Sequence, residues 1–396
     1  MRVCVVGAGL AGLAAADALR GAGIEPVVLE ARDRVGGRVW TAATGTGAAV
    51  EMGAEFVTDG YEVLPATVRR LGLRLSPMGM SFGDREPRDG IGTTRRQLAE
   101  ACRLVSEAVG RGGLDGVSLA ALLDRLPLDA GARELIACRV SVSYAHPADR
   151  IAAAAVRDVL HAFEPSEARR VAEGNQAVAT RLAEGLELRR SARVRTVCWN
   201  GDGVSVDGMQ ADGCVLAVPA HALAAIAFDP PLPEWKAAAF QRVVYGDAAK
   251  LFAPLRRPPP PSSVLSVPGR FWTWTARGPD GEVAPVVSAF AGSAPAVAPL
   301  LRGTAYLEAV EALRPDLAVD SREVIVSAWE EGAYSTKEAG RPEGDDAALA
   351  RPVGRLAFAG EHTAGEWFAT MEGALRSGIR AAADLRIALG RRTNGV

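Results

Sequence analysis

Three glycines and an acid carry the first chemistry in this sequence. Gly7-x-Gly9-x-x-Gly12 follows the apolar run Val3 to Val6 and precedes an alanine-rich stretch, and a second apolar run ends at Glu30. Gly7 permits a tight turn, Gly9 lets backbone approach a pyrophosphate, and Gly12 lets the helix lie close on the sheet. The helix start then turns unpaired N–H groups and its positive dipole end toward the phosphates. Glu30 stands where a carboxylate accepts from ribose hydroxyls and repels a 2′-phosphate, which disfavours NADP. A second turn follows at once: Arg32, Arg34 and Arg38 surround Gly36-Gly37, and guanidinium forks on such a turn suit a pyrophosphate. This extension points to FAD rather than NAD.

Two further charged residues invite a chemical reading. Lys250 is the one cation inside the strand-like run Ala248 to Phe252, and lysines are rarely buried without purpose. Glu55, after Gly53-Ala54, would suit a cationic or polar N–H group or take a proton from one; a structural turn acid is the equal alternative. Near the other end, Glu361 after Gly360 is expected to hold a ribityl hydroxyl. A helix starting at Met371 would put its positive end where negative charge gathers on a reduced flavin. Phe271, Trp272 and Trp274 read as core more readily than as cavity lining.

Elements to position these groups can be read from periodicity. Strands are expected at 3–6, up to Glu30, at 50–56, 192–199, 213–219, 248–253, 264–274, 286–291 and 324–329, with a short one at 355–359. Helices are expected over 63–71, 95–110, 119–126, 176–185, 305–313 and from 371 to about 389. Residues 93–173 read as a helical insertion. Ala374, Ser377, Gly378, Ala381 and Ala382 share one side of the last helix, which lets it pack closely on the N-terminal unit, so both chain ends should build one site.

Composition narrows the class. With 396 residues, 48% of them apolar, the chain suits two domains rather than one. A net charge of −2 offers no basic stripe, so no nucleic-acid partner is expected. Five scattered cysteines and four histidines without ligand spacing predict reduced thiols and no metal. The first strand begins by residue 3 and no span is long enough for a membrane, so a cytoplasmic protein, monomer or homodimer, is expected.

The opening unit through Gly37-Arg38, together with Glu51-Met52-Gly53-Ala54, Gly174-Asn175-Gln176, Gly332-Ala333-Tyr334, Phe358-Ala-Gly360-Glu361 and Met371-Glu372-Gly373-Ala374, resembles the flavin-containing amine oxidase family. That family includes monoamine, polyamine and L-amino acid oxidases. The resemblance implies an α/β fold: a Rossmann-like FAD-binding domain of amine-oxidase type (1–75, 171–229 and 345–396) with an α+β substrate domain, a mixed sheet plus helical insertion (76–170 and 230–344). It implies FAD, held by Gly7, Gly9, Gly12, Glu30, Arg32, Gly37, Arg38, Gly53, Ala54, Val194, Gly360, Glu361, Met371 and Ala374. It implies oxidation of an amine or amide-like small molecule to an imine, with O2 going to hydrogen peroxide. Lys250 resembles the family's lysine that holds a water against the flavin, and Tyr334 one wall of its aromatic cage. The opposite wall falls on Thr370, so half the cage is missing and the substrate is expected to be a specialised metabolite. Ala333 replaces the cysteine that bonds flavin in monoamine oxidases, so FAD should be noncovalent. Ala54-Glu55-Phe56 stands where L-amino acid oxidases carry a carboxylate-clamping Arg, which disfavours free α-amino acids. A desaturase or protoporphyrinogen-oxidase-like enzyme, or a non-catalytic FAD-binding redox module, are the alternatives.

Overall fold

A computed structural model describes residues 1–390 apart from 157, 158, 160, 331 and 343, so the last six residues of the expected 345–396 segment lie outside the described residues. Five parallel strands build the first sheet, in the order Leu356–Phe358, Gly213–Leu216, Arg2–Val6, Glu25–Leu29, Glu187–Arg189. Their near-continuous apolar residues are buried because helices cover one face, and the strands Thr196–Trp199 and Val204–Val206 with two short helices cover the other. The first helix, Leu10–Gly21, packs on the last, Met371–Gly390. A Cβ on Gly378 would lie 2.1 Å from the Ala11 carbonyl oxygen, so the small-residue side of the last helix does bring the two chain ends into contact.

The second sheet has six strands, in the order Ile325–Trp329, Ala248–Pro254, Val286–Gly292, Phe271–Thr275, Ser262–Ser266, Glu86–Arg88, and is mixed. Alternation divides its residues cleanly. Ala249, Leu251, Ala289 and Phe271 pack against the helices Ala294–Leu300 and Ala305–Leu313. Ser327, Lys250, Phe290 and Trp272 form one cross-strand row on the opposite face. The helices Arg95–Arg111, Leu119–Arg125 and Ala130–Tyr144 form the insertion beside this sheet. Among the described residues no helix is long and apolar enough to cross a membrane.

Several expectations need correction. The strand expected over 264–274 is a hairpin, because Pro268-Gly269-Arg270 turns the chain and Arg270 sits at φ +51°. The strand expected over 192–199 is only Thr196–Trp199; before it, Ser191 N–H donates to the Arg32 carbonyl and Ala192 N–H to the Glu30 carbonyl. The helical insertion closes with a strand, Glu167–Val171, paired to Leu75–Ser81. Glu187–Arg189, too short to show periodicity, is an edge strand of the parallel sheet.

Candidate active site

The N-terminal turn is built to receive a dinucleotide. Gly9 forms the N-cap of the Leu10–Gly21 helix, no side chain among the described residues caps it, and a Cβ there would meet open space. Gly12 has no such freedom: its Cβ would lie 1.9 Å from the Gly7 carbonyl oxygen. Glu30 is buried, accepting from Ala8 N–H at 2.7 Å and Arg32 N–H at 2.9 Å, which fixes its carboxylate beside the glycine turn. Gly9 and Gly36 are bridged, so the two glycine turns lie side by side. Arg32 and Arg34 both donate to the Gly37 carbonyl, at 3.4 and 3.0 Å; Arg32 is exposed and Arg34 stacks on Trp40. Val194 is buried beside Leu29, in the segment that Ala192 ties to Glu30. Open space at Gly9, an uncapped helix start and a preset acid together fit FAD.

The two candidates Lys250 and Glu55 meet. Lys250 Nζ donates to Glu55 Oε2 at 2.7 Å, to the Glu51 carbonyl at 2.6 Å and to the Gly53 carbonyl at 3.0 Å, and both side chains are almost wholly buried. Three acceptors match the three ammonium protons, so Lys250 anchors the 51–55 segment; the expected water would have to take one of these places. From the other side Ala54 N–H donates to the Arg38 carbonyl at 3.0 Å, and a Gly53 Cβ would lie 1.9 Å from that oxygen. Residues without an assigned role complete the clamp. Asn175, fully buried, donates to the Ala54 and Glu55 carbonyls, and Trp329 Nε1 and Ser327 Oγ donate to the Met52 carbonyl. Gln176 accepts from Thr41 N–H and donates to the Val35 carbonyl. The Gly174-Asn175-Gln176 motif marked this place but not its task. Beside it Glu51 is pushed up to about 7 by burial, against the Asn175 N–H bond that stabilises its charged form.

Glu361 is the hub of the C-terminal part of the site. Its carboxylate accepts from Arg38 Nη1 at 2.7 Å, Ser335 N–H and Oγ, and Ala369 N–H. Burial opposes its charge, yet Arg38 leads the groups that hold it below the usual carboxylate range. Glu361 therefore fixes Arg38, which lies over the Tyr245 ring, and ties the two chain ends together. Gly360 N–H donates to Ser377 Oγ on the last helix. Thr370 caps that helix: its hydroxyl donates to the Trp367 carbonyl and accepts from Gly373 N–H at 2.9 Å. Met371 is buried in the helix's first turn, with Ala374 one turn on, bonded through its N–H to the Thr370 carbonyl. Tyr334 donates its hydroxyl to the Ser143 carbonyl at 2.8 Å. Trp272 and Trp274 stack at 4.3 Å and meet Phe56 and Phe82, whereas Phe271 points to the opposite face of the sheet.

Known proteins are similar to this chain over almost its whole length. The chain is 30% identical over 450 residues to a Mycobacterium tuberculosis protein named as flavin-containing monoamine oxidase AofH, covering 97% of this chain and 96% of that protein. It is 28% identical over 457 residues to polyamine oxidase 4 of Oryza sativa subsp. japonica, covering 97% and 88%. The solved structure of wild-type putrescine oxidase bound to putrescine superposes with a TM-score of 0.85 at 26% identity, covering 98% and 99%. The profile of flavin-containing amine oxidoreductases matches residues 10–98 and 115–386, which takes in the glycine-rich helix, the 51–55 clamp and the Glu361 hub. The chain belongs to the flavin containing amine oxidoreductase family, and its cofactor is FAD.

Proposed function

We propose that this chain oxidises the carbon–nitrogen bond of an amine or amide-like specialised metabolite to the imine, with dioxygen reduced to hydrogen peroxide. FAD, when bound, accepts the two electrons lost by the substrate and yields them to dioxygen. Gly9, Glu30 and the Arg38–Glu361 pair would hold it, and Ala333 offers no thiol for a covalent link. Residues 1–75, 171–229 and 345–396 form the FAD-binding domain in this reading, and 76–170 and 230–344 the substrate domain. Tyr334 gives the amine one aromatic wall. Thr370 gives no second one, so the site suits a substrate positioned by other groups than a pair of ring faces.

The observation that carries this reading is the Lys250–Glu55 contact, buried and held against the 51–55 carbonyls. A fixed cation in a water-poor site favours negative charge developing nearby, the demand made when reduced flavin meets dioxygen. The test is stopped-flow reoxidation of the reduced Lys250→Met holoenzyme. A large fall in the rate with oxygen is expected; an unchanged rate would refute the role of Lys250.

A further inference from the structure

Two arginines are buried together beside the proposed substrate wall, with no acid among the described residues to neutralise them. Arg85 is 6% exposed and Arg139 2% exposed. Arg85 Nε and Arg139 Nη2 both donate to the Phe82 carbonyl, each at 3.1 Å, so the two guanidinium groups converge on one oxygen. Arg139 Nη1 donates to Ser143 Oγ. Among the described residues no carboxylate lies within ion-pair distance of either arginine, and Arg85 Nη1 and Arg139 Nε are buried without a hydrogen-bond partner. Burial, and then Arg139, press the Arg85 pKa well below the ordinary arginine range; burial lowers that of Arg139 to about 10.

Two like charges in a low-dielectric interior are costly, and an idle buried N–H adds to that cost. The fold nevertheless keeps both, with Arg85 stacked 3.5 Å from the Trp272 ring centre. The position of this pair relates it to the chemistry. Ser143, which Arg139 contacts, also receives the Tyr334 hydroxyl bond. On the other side Trp272 stacks on Trp274, whose ring centre is 5.6 Å from Lys250 Nζ.

We propose that Arg85 and Arg139 bind the carboxylate of the substrate, so that the amine oxidised here carries an anionic end across an apolar spacer. Arg85 Nη1 and Arg139 Nε are left without a partner, and two donor nitrogens match the two oxygens of a carboxylate. The rings of Phe82, Trp272 and Phe56 suit the apolar spacer. This specificity is opposite in sign to that required by a diamine. The proposal rests on the amine-oxidase reading above, and its test separates the two.

The FAD-loaded protein is mixed anaerobically with 4-(aminomethyl)benzoate, its methyl ester and 1,4-bis(aminomethyl)benzene, which share the aminomethyl-arene and carry an anionic, a neutral and a cationic group at the far end. Flavin bleaching as a function of concentration gives an apparent dissociation constant for each. The carboxylate should bind at least about tenfold more tightly than the ester or diamine, and Arg85→Met or Arg139→Met should remove most of that ratio. Equal binding of carboxylate and ester, or a ratio unmoved by both substitutions, would overturn the proposal. Titration of the oxidised wild-type holoenzyme with unreactive 4-methylbenzoate against 4-methylbenzamide, followed by the flavin spectrum, decides the site independently of turnover and of variant folding. Absent bleaching with a selective benzoate response would sink the amine reading of these substrates and leave the arginine site standing; no selective response would refute the arginine site.

Discussion

The buried Lys250–Glu55 contact bears on stability and, in the proposed function, on chemistry. Removing one member of a buried ion pair leaves the other charged and unpartnered, at a cost of about 3–5 kcal/mol. Lys250→Met should therefore lower thermal stability as well as slow flavin reoxidation, the latter by about 100-fold. Glu372 does purely structural work by comparison. Its buried carboxylate accepts from Glu62, Val63 and Leu64 N–H groups, capping the helix Val63–Arg70 from a distant part of the chain, and from Arg376. Burial opposes its charge, but these N–H groups and Arg376 hold its pKa below the ordinary value. Glu372→Gln should cost about 2–3 kcal/mol at neutral pH, measured by chemical denaturation. The depressed pKa means that this stabilisation is present above the unfolded-state pKa and is lost as pH falls through the folded one, so wild type and variant should converge in acid. A constant difference down to pH 3 would refute the capping role.

At the scale of elements, the junction of the first and last helices holds the FAD cradle together. Gly378 lets the last helix touch the Ala11 backbone, and a side chain there would have to push the helices apart. Gly378→Val should destabilise by about 1–3 kcal/mol and lower the flavin-to-protein absorbance ratio after gel filtration. Gly390→Ala, where a Cβ meets open space, should leave that ratio intact and serves as control. Much of this level is legible in sequence because local chemistry speaks for it. Gly7, Gly9, Gly12 and Glu30 lie within one βαβ unit, and the helix over 305–313 follows from its apolar period. The hairpin at Ser262–Ser266 and Phe271–Thr275 was hidden because β-forming residues stand on both sides of Pro268-Gly269-Arg270, which alone marks the turn. The roles of Asn175, Ser327 and Trp329 were illegible for another reason. Their acceptors are backbone carbonyls far away in the chain, and no side-chain pattern reports such a bond.

Across the whole molecule, buried titratable groups set opposing pH trends. His362 is held neutral, its pKa lowered to about 4 by burial, so the unfolded chain binds more protons between about 4 and 6.5 and stability falls as pH falls through that window. Glu51, raised to about 7 by burial, is more protonated in the folded state, so its contribution is lost as pH rises from about 4.5 to 7. Because the two windows overlap, the slopes offset each other: His362→Gln should make the melting temperature fall with rising pH between about 4.5 and 6.5, and Glu51→Gln should make it rise; the same change of slope in both variants would contradict the assignment. The proposed carboxylate site was also less legible than the cofactor site. Arg85 and Arg139 are ordinary arginines in sequence, and only the fold brings them together at Phe82. The central claim, that this is an amine-oxidising flavoprotein working through dioxygen, is tested most directly by one two-stage mixing experiment. The oxidised holoenzyme is mixed anaerobically with an amine panel and then with oxygen, with flavin absorbance and hydrogen peroxide followed together. Bleaching by at least one amine, and recovery of colour with one peroxide per flavin, is the predicted result; a flavin that no amine bleaches, or that recovers without peroxide, would contradict it.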